Sequence, residues 1–246
     1  NNRALLRSLA IPPIPRAGTS ADAIDRQHPQ PLTITVAIAG ATGLVGGHVL
    51  RCLLENPQVK SVIAPTRRSL PPHPKLLNPL IGPAWPVLPL LDEAYCCLGT
   101  TRKDAGSDAA FRAVDFDLTV SFARAVKAGG ARRFGLVSSS GADASSSLLY
   151  PRTKGEAEDF ISGLGFKTVV IARPSLLLGQ RAKTRVLEKL GEVLLALLKP
   201  ILIGPWRKYR AISGSTVATA LIASVRNEFP GTLTLESDAL QAHLVE

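Results

Sequence analysis

From Leu32 onward the hydrophobic pattern alternates between two periods. Short apolar runs at 33–39, 59–65, 93–98, 133–139, 167–172 and 232–236 have the length of strands, and amphipathic stretches separate them. Runs this apolar belong to strands covered on both faces, so the pattern predicts an α/β fold with a doubly wound parallel sheet. Val45 to Leu54 reads as the helix that follows the first strand. From Ser107 to Ala128, Phe111, Val114, Leu118 and Phe122 share one helical face, Ser107 is the expected N-cap, and Gly129-Gly130 stops the helix.

A second stripe, Val186 to Leu198, places Val186, Leu187, Leu190, Val193, Leu194 and Leu197 at helical spacing before Lys199-Pro200 ends it. With the apolar Pro200 to Trp206 beyond, it reads first as packing and a substrate lid; contact with a membrane surface is the less favoured reading. No uninterrupted apolar stretch of about 18 residues occurs, so no spanning helix is expected.

Length and composition narrow the picture. The chain has 246 residues, 46% hydrophobic and 20% charged, enough for a substantial core and unlike a disordered chain. Residues 1–31 carry Arg3, Arg7, Arg16 and Arg26, have no acid before Asp22 and include several prolines. They read as a flexible N-terminal extension, with an organellar targeting peptide as the alternative. Residues 32–246 form the expected single domain, with 176–231 contributing the substrate side. Methionine is absent, and Pro83 to Leu91 is short for a loop and a strand, as if residues were missing there.

The net charge of +10 raises the question of nucleic acid, but the basic residues are dispersed and no nucleic-acid motif accompanies them. The one concentration lies between Arg181 and Arg210, eight basic residues against Glu188 and Glu192. An anionic cofactor accounts for the excess as well as a membrane surface does. Cys52, Cys96 and Cys97 lack the number and spacing for a disulfide framework or a metal site. They suit buried thiols in a reducing compartment, and a cytoplasmic location is the primary expectation. The four histidines show no ligand spacing.

Chemistry concentrates at two places. GATGLVG, Gly40 to Gly46, lies between the first strand and its helix. Gly40, Gly43 and Gly46 supply the tight turn, the close approach to a pyrophosphate and the close helix–strand packing of a Rossmann-type dinucleotide site. Thr42, Leu44 and Val45 complete the helix N-terminus, where unpaired N–H groups favour phosphate. The second strand ends in Pro65-Thr66-Arg67-Arg68-Ser69, without the acid that would bind a free ribose 2′-hydroxyl. Arg67 and Arg68 suit a 2′-phosphate, so NADP(H) is preferred over NAD(H).

The second place is GLVSSSGAD, Gly135 to Asp143, followed by Tyr150-Pro-Arg-Thr-Lys154. Four residues apart on a helix, Tyr150 and Lys154 share a face, and the ammonium stabilises a phenolate. A serine at the strand end can hydrogen-bond a reacting oxygen. Pro151 fits a first helical turn. Asp115 can face a dimer surface or the cofactor loop.

These blocks, with CCLGTTRKDAGS (Cys96 to Ser107), FRAVDFD (Phe111 to Asp117), YPRTKGEAE (Tyr150 to Glu158) and ARPSLLLGQR (Ala172 to Arg181), resemble the atypical branch of the short-chain dehydrogenase/reductase superfamily that includes the oxidoreductase-like Tat-interacting protein. The resemblance spans Thr33 to Gln241. It implies that Tyr150 is the catalytic acid/base, that Lys154 is its partner and holds the nicotinamide ribose, and that Ser139 orients the carbonyl, with Ser138 and Ser140 as alternatives. It also implies that Leu98 and Gly99 line the cofactor, that Pro174 to Leu177 approach the nicotinamide, and that Arg185 contacts the cofactor. The expected activity is NADP(H)-dependent hydride transfer on a small, hydrophobic carbonyl or alcohol by a homodimer or monomer. The alternative is a non-catalytic NADP(H)-binding regulatory or assembly protein.

Overall fold

The computed structural model describes residues 33–82, 85–178, 211–227 and 229–242, all within one unit, Leu32–Glu246. The N-terminal extension, Arg185 and the Val186–Leu198 stripe therefore lie outside the described residues.

Strands β1 (Ile34–Ala39), β2 (Val59–Ile63), β3 (Leu76–Leu77), β4 (Glu93–Cys96), β5 (Arg133–Val137), β6 (Thr168–Arg173) and β9 (Gly231–Glu236) form a parallel sheet in the order β3-β2-β1-β4-β5-β6-β9. Two short strands, β7 (Leu177–Leu178) and β8 (Ile212–Ser213), pair with each other apart from it. Each predicted strand is present; those expected at 59–65, 93–98 and 133–139 end two residues early, at Ile63, Cys96 and Val137.

Alternate side chains of the sheet enter two separate cores. Val36, Ile38, Tyr95, Val170 and Ala172 face helices α1 (Leu44–Glu55), α6 (Gly214–Arg226) and α7 (Ser237–Ala242), meeting Val49, Leu53, Leu221, Val225 and Leu240. Ala37, Ala39, Cys96, Leu136 and Ile171 point the other way, toward Phe122 and Val126 of α4 (Thr119–Ala128) and Ile161 of α5 (Leu149–Ser162). Each fully buried aliphatic side chain contributes about 1.5–3 kcal/mol, and the period of two in each strand divides that gain between the faces. Helix α6 falls within the 176–231 region expected on the substrate side. It is a core helix, capped by Ser213, whose hydroxyl accepts the Thr216 N–H at 3.0 Å.

The Ser107–Ala128 helix begins where expected. Ser107 Oγ accepts the Ala110 N–H at 3.1 Å, and Gly129 closes the end. The helix is not uniform: α3 (Asp108–Arg112) passes through a π-helical turn, Ala113–Leu118, into α4. The wider turn rotates the buried face, so Asp115 and Thr119 lie inside while Val114 and Leu118 are only half-buried. A short helix, α2 (Arg102–Ala105), precedes it.

On the side away from the strand ends, Glu93 is wholly buried and accepts from Arg226 Nη2 at 2.8 Å and from the Tyr95 hydroxyl at 3.2 Å, with Arg133 Nε at 3.4 Å. This cluster ties the end of α6 to the centre of the sheet.

Candidate dinucleotide and active site

At the carboxyl edge the strand order reverses between β1 and β4, the place where open parallel sheets form ligand crevices. The loops leaving those strands touch. Gly40 turns at φ +80°, and a Cβ there would lie 2.4 Å from the Cys97 carbonyl oxygen. Gly46, on the first turn of α1, passes so close that its Cβ would lie 2.0 Å from the Gly40 carbonyl oxygen. Gly43 caps α1 with no side-chain hydrogen bond. The cradle is thus bare backbone at a helix N-terminus, and it fits a dinucleotide pyrophosphate. Thr42, Leu44 and Val45 occupy the same turn.

Beyond β2, Thr66 is buried. Its hydroxyl donates to the Arg68 carbonyl at 2.6 Å and accepts from Asn78 Nδ2 at 2.8 Å, fixing the turn that carries Arg67 and Arg68. Both arginines are exposed, and their guanidinium groups have no partner among the described residues. They are available to a phosphate.

The second half of the site converges on Lys154. One helical turn after Tyr150 on α5, it is buried, and its Nζ lies 2.7 Å from Asp115 Oδ1. Asp115 Oδ2 accepts the Thr100 N–H at 2.9 Å. Around this pair a small cleft is lined by Leu98, Asp115, Thr119, Ser138, Lys154 and Ala157. Asp115 thereby faces inward, toward the loop after β4 that carries Gly99 and Thr100. Ser138 Oγ is buried with no hydrogen-bond partner among the described residues, whereas Ser139 Oγ donates to the Ser140 carbonyl at 3.3 Å. The Ser140 N–H donates to the Pro174 carbonyl at 2.9 Å, joining the serine loop to the segment that leads to Leu177.

Tyr150 is 39% exposed and is not among the residues lining this cleft; its ring is stacked on Phe111 with centroids 5.5 Å apart. Leu148 and Leu176 are exposed as well. One turn beyond Lys154, helix α5 is held by Glu158, which accepts from Arg173 Nε at 3.1 Å, while Arg173 Nη1 reaches Glu236 at 3.2 Å. In the serine loop, the Ser145 hydroxyl and then its amide hold the Asp143 carboxyl below its ordinary value. Burial raises the Cys96 thiol to about 11 and moves Cys97 in the same direction, so both favour the thiol form at neutral pH. Sequence reasoning did not reach Thr100, the partner of Asp115, because it contributes a backbone N–H.

A parallel sheet of this order, a glycine turn at its switch point and a Tyr-x-x-x-Lys helix beside it define a Rossmann-type domain of the atypical short-chain dehydrogenase/reductase class. No family model matches the chain. The "Protein fmp52, mitochondrial" of Emericella nidulans is 33% identical over 79% of this chain and 90% of its own length, and that of Aspergillus clavatus is 40% identical over 62% and 70%. "Protein HTATIP2" of Rattus norvegicus is 32% identical over 85% and 88%. The chain belongs to this FMP52/HTATIP2 family.

Solved structures repeat the fold at low identity. MoeE5 in complex with UDP-glucuronic acid and NAD has a TM-score of 0.61 and 18% identity, covering 82% of this chain and 75% of that one. The oxidoreductase ylbE from Lactococcus lactis gives 0.58 and 15%, covering 87% and 98%. Among the described residues no helix is long and apolar enough to cross a membrane, and no group of three or more His, Cys, Asp or Glu is placed to hold a metal.

Proposed function

We propose that the protein is an NADP(H)-dependent oxidoreductase acting on a hydrophobic carbonyl or alcohol. The observation that carries the reading is the convergence at one sheet edge of a bare glycine cradle, two unpaired arginines and the Tyr150–Lys154 helix. Gly40, Gly43 and Gly46 receive the pyrophosphate, Arg67 and Arg68 the 2′-phosphate, and Leu98, Gly99, Pro174 and Leu177 border the nicotinamide half. Bound NADP(H) supplies or accepts the hydride. Tyr150 Oη gives or takes the proton on the substrate oxygen, and Lys154 favours the phenolate form. A serine hydroxyl orients that oxygen; Ser139 is the assignment by resemblance, and Ser138 presents the unpartnered hydroxyl beside Lys154. Exposed Leu148 and Leu176 near this edge suit an apolar substrate.

A second reading, a nucleotide-binding protein without turnover, is favoured by one observation: Tyr150 stacks on Phe111 instead of lining the cleft, and Lys154 is already paired. The two separate in a screen of apolar aldehydes and ketones with NADPH. The oxidoreductase reading expects turnover that Tyr150→Phe lowers by about 10²–10⁴-fold with NADPH affinity retained. Turnover unaffected by Tyr150→Phe contradicts it, and binding with no turnover selects the second reading.

For location, the fungal relatives are mitochondrial by name, so the organellar alternative replaces the cytoplasmic expectation. The basic, acid-poor 1–31 segment suits an import signal. A fluorescent fusion should co-localise with mitochondria; a diffuse cytosolic signal contradicts this.

A further inference from the structure

We propose that Asn78 is a positioning residue for the 2′-phosphate subsite, holding the turn that presents Arg67 and Arg68; this deepens the NADP(H) reading above and rests on it. Asn78 follows β3 and is not part of the turn, yet its carboxamide ties together both ends of it. Nδ2 donates to the Ala64 carbonyl at 2.6 Å and to the Thr66 hydroxyl at 2.8 Å, and Oδ1 accepts the Leu70 N–H at 2.7 Å. The Thr66 hydroxyl in turn donates to the Arg68 carbonyl at 2.6 Å. The amide has one orientation here, because the reverse would set a donor against the Leu70 N–H and an acceptor against the Ala64 carbonyl.

Little else shapes the turn. Main-chain pairing with the segment after β3 reaches Thr66, whose N–H donates to the Pro79 carbonyl at 3.2 Å and whose carbonyl accepts the Ile81 N–H at 2.9 Å. Past that point, among the described residues, no backbone–backbone hydrogen bond involves Arg67, Arg68 or Ser69, all of them exposed. Two side-chain bonds therefore close the turn, Thr66 to Arg68 at its near end and Asn78 to Leu70 at its far end, where Leu70 packs on the core. Arginine side chains are long and rich in rotamers, so holding their backbone fixed before a phosphate arrives removes part of the ordering cost of binding it. The glycine cradle is braced separately, by the contact of Gly40 with Cys97. NADH, which has no 2′-phosphate, draws on the cradle and not on the arginines, so Asn78 sets the choice between the two nucleotides.

Asn78→Leu tests this, being close in size and unable to make any of the three bonds. NADPH and NADH are titrated by cofactor fluorescence into wild type, Asn78→Leu, Arg67→Ala/Arg68→Ala and the triple variant. Asn78→Leu should weaken NADPH by about tenfold and NADH by less than about twofold, and should cost NADPH less than about twofold once both arginines are alanine, the non-additivity of a coupled set. Equal losses for the two nucleotides, the mark of a merely structural role, overturn the proposal, as does an NADPH affinity left unchanged or lowered equally in both backgrounds. If Asn78→Leu does not fold, Thr66→Val and Thr66→Ser decide the matter through the hydroxyl that Asn78 holds. Loss of NADPH preference in Thr66→Val with its retention in Thr66→Ser supports the proposal, and a Thr66→Val variant that keeps the wild-type preference overturns it. Wild type without a preference for NADPH overturns the NADP(H) reading and this proposal with it, whereas a wild-type preference that the variants share overturns the proposal alone.

Discussion

Gly46→Ala sets two effects of opposite sign against each other. Helix propensity favours the change, since alanine is better than glycine in a helix by about 0.8–1.0 kcal/mol. Packing opposes it. The new methyl would lie 2.0 Å from the Gly40 carbonyl oxygen, 2.8 Å from its carbon and 3.2 Å from Cys97 Cβ. The first two are backbone atoms of the turn, so relief requires α1 to lift by about 1 Å, loosening Val45 and Val49 from the sheet. Overpacking of this kind costs roughly 1–3 kcal/mol or more, so the net effect is a loss of about 1–2 kcal/mol. Gly47→Ala is the internal control: its methyl meets nothing closer than Ala41 O at 3.7 Å, and propensity should prevail. Urea denaturation followed by circular dichroism should lower the midpoint for Gly46→Ala by roughly half a molar and leave Gly47→Ala equal or higher. Gly46→Ala as stable as the wild type would refute the reasoning that α1 and β1 are held at contact distance.

The buried Glu93 cluster predicts that Glu93→Gln, which removes the buried counter-charge of Arg226, costs about 3–5 kcal/mol in the same urea assay; a loss under about 1 kcal/mol contradicts the clip. Wholly buried Cys96 should resist iodoacetamide at pH 8 in the folded protein while half-buried Cys52 is modified first, read by peptide mass; rapid labelling of Cys96 contradicts its burial. Asp143 titrates below its ordinary value in the folded state, so whatever stability it adds is present above the ordinary carboxylate range and lost as pH falls through its folded value. Ser145→Ala, removing the first cause of that depression, should move the Asp143 carboxyl resonance to a higher titration midpoint, and an unchanged midpoint would count against the loop geometry.

Sequence patterns reveal what is repeated or sterically exclusive. The strand–GATGLVG–helix unit was legible because its glycines are tied to backbone contacts that a Cβ would violate. The Ser107 cap and the Gly129 stop were legible for a similar reason, since each satisfies or ends a helix in one way. The face of the intervening helix was not. Phe111, Val114, Leu118 and Phe122 fit an α-helical stripe, but the π turn rotates Asp115 and Thr119 inward. A polar residue turned toward a site cannot be told from a solvated one by period alone. Helix α6 escaped because its small and β-branched residues carry little periodic contrast, and β3, β7 and β8 because two residues have no period to read. Of the site, Tyr150 and Lys154 were placed correctly on one helix, while the lysine's partner depended on tertiary contact.

The central claim is that the cradle and the two exposed arginines bind NADP(H) in preference to NAD(H). Side-by-side fluorescence titrations of NADPH and NADH, on wild type and on the Arg67→Ala/Arg68→Ala variant at fixed salt, test it most directly. A charged hydrogen bond contributes about 1.5–3 kcal/mol, so the wild type should prefer NADPH by roughly tenfold or more, and the variant should lose that preference with NADH affinity unchanged. A wild type that binds neither nucleotide, or a preference that survives in the variant, would contradict the account.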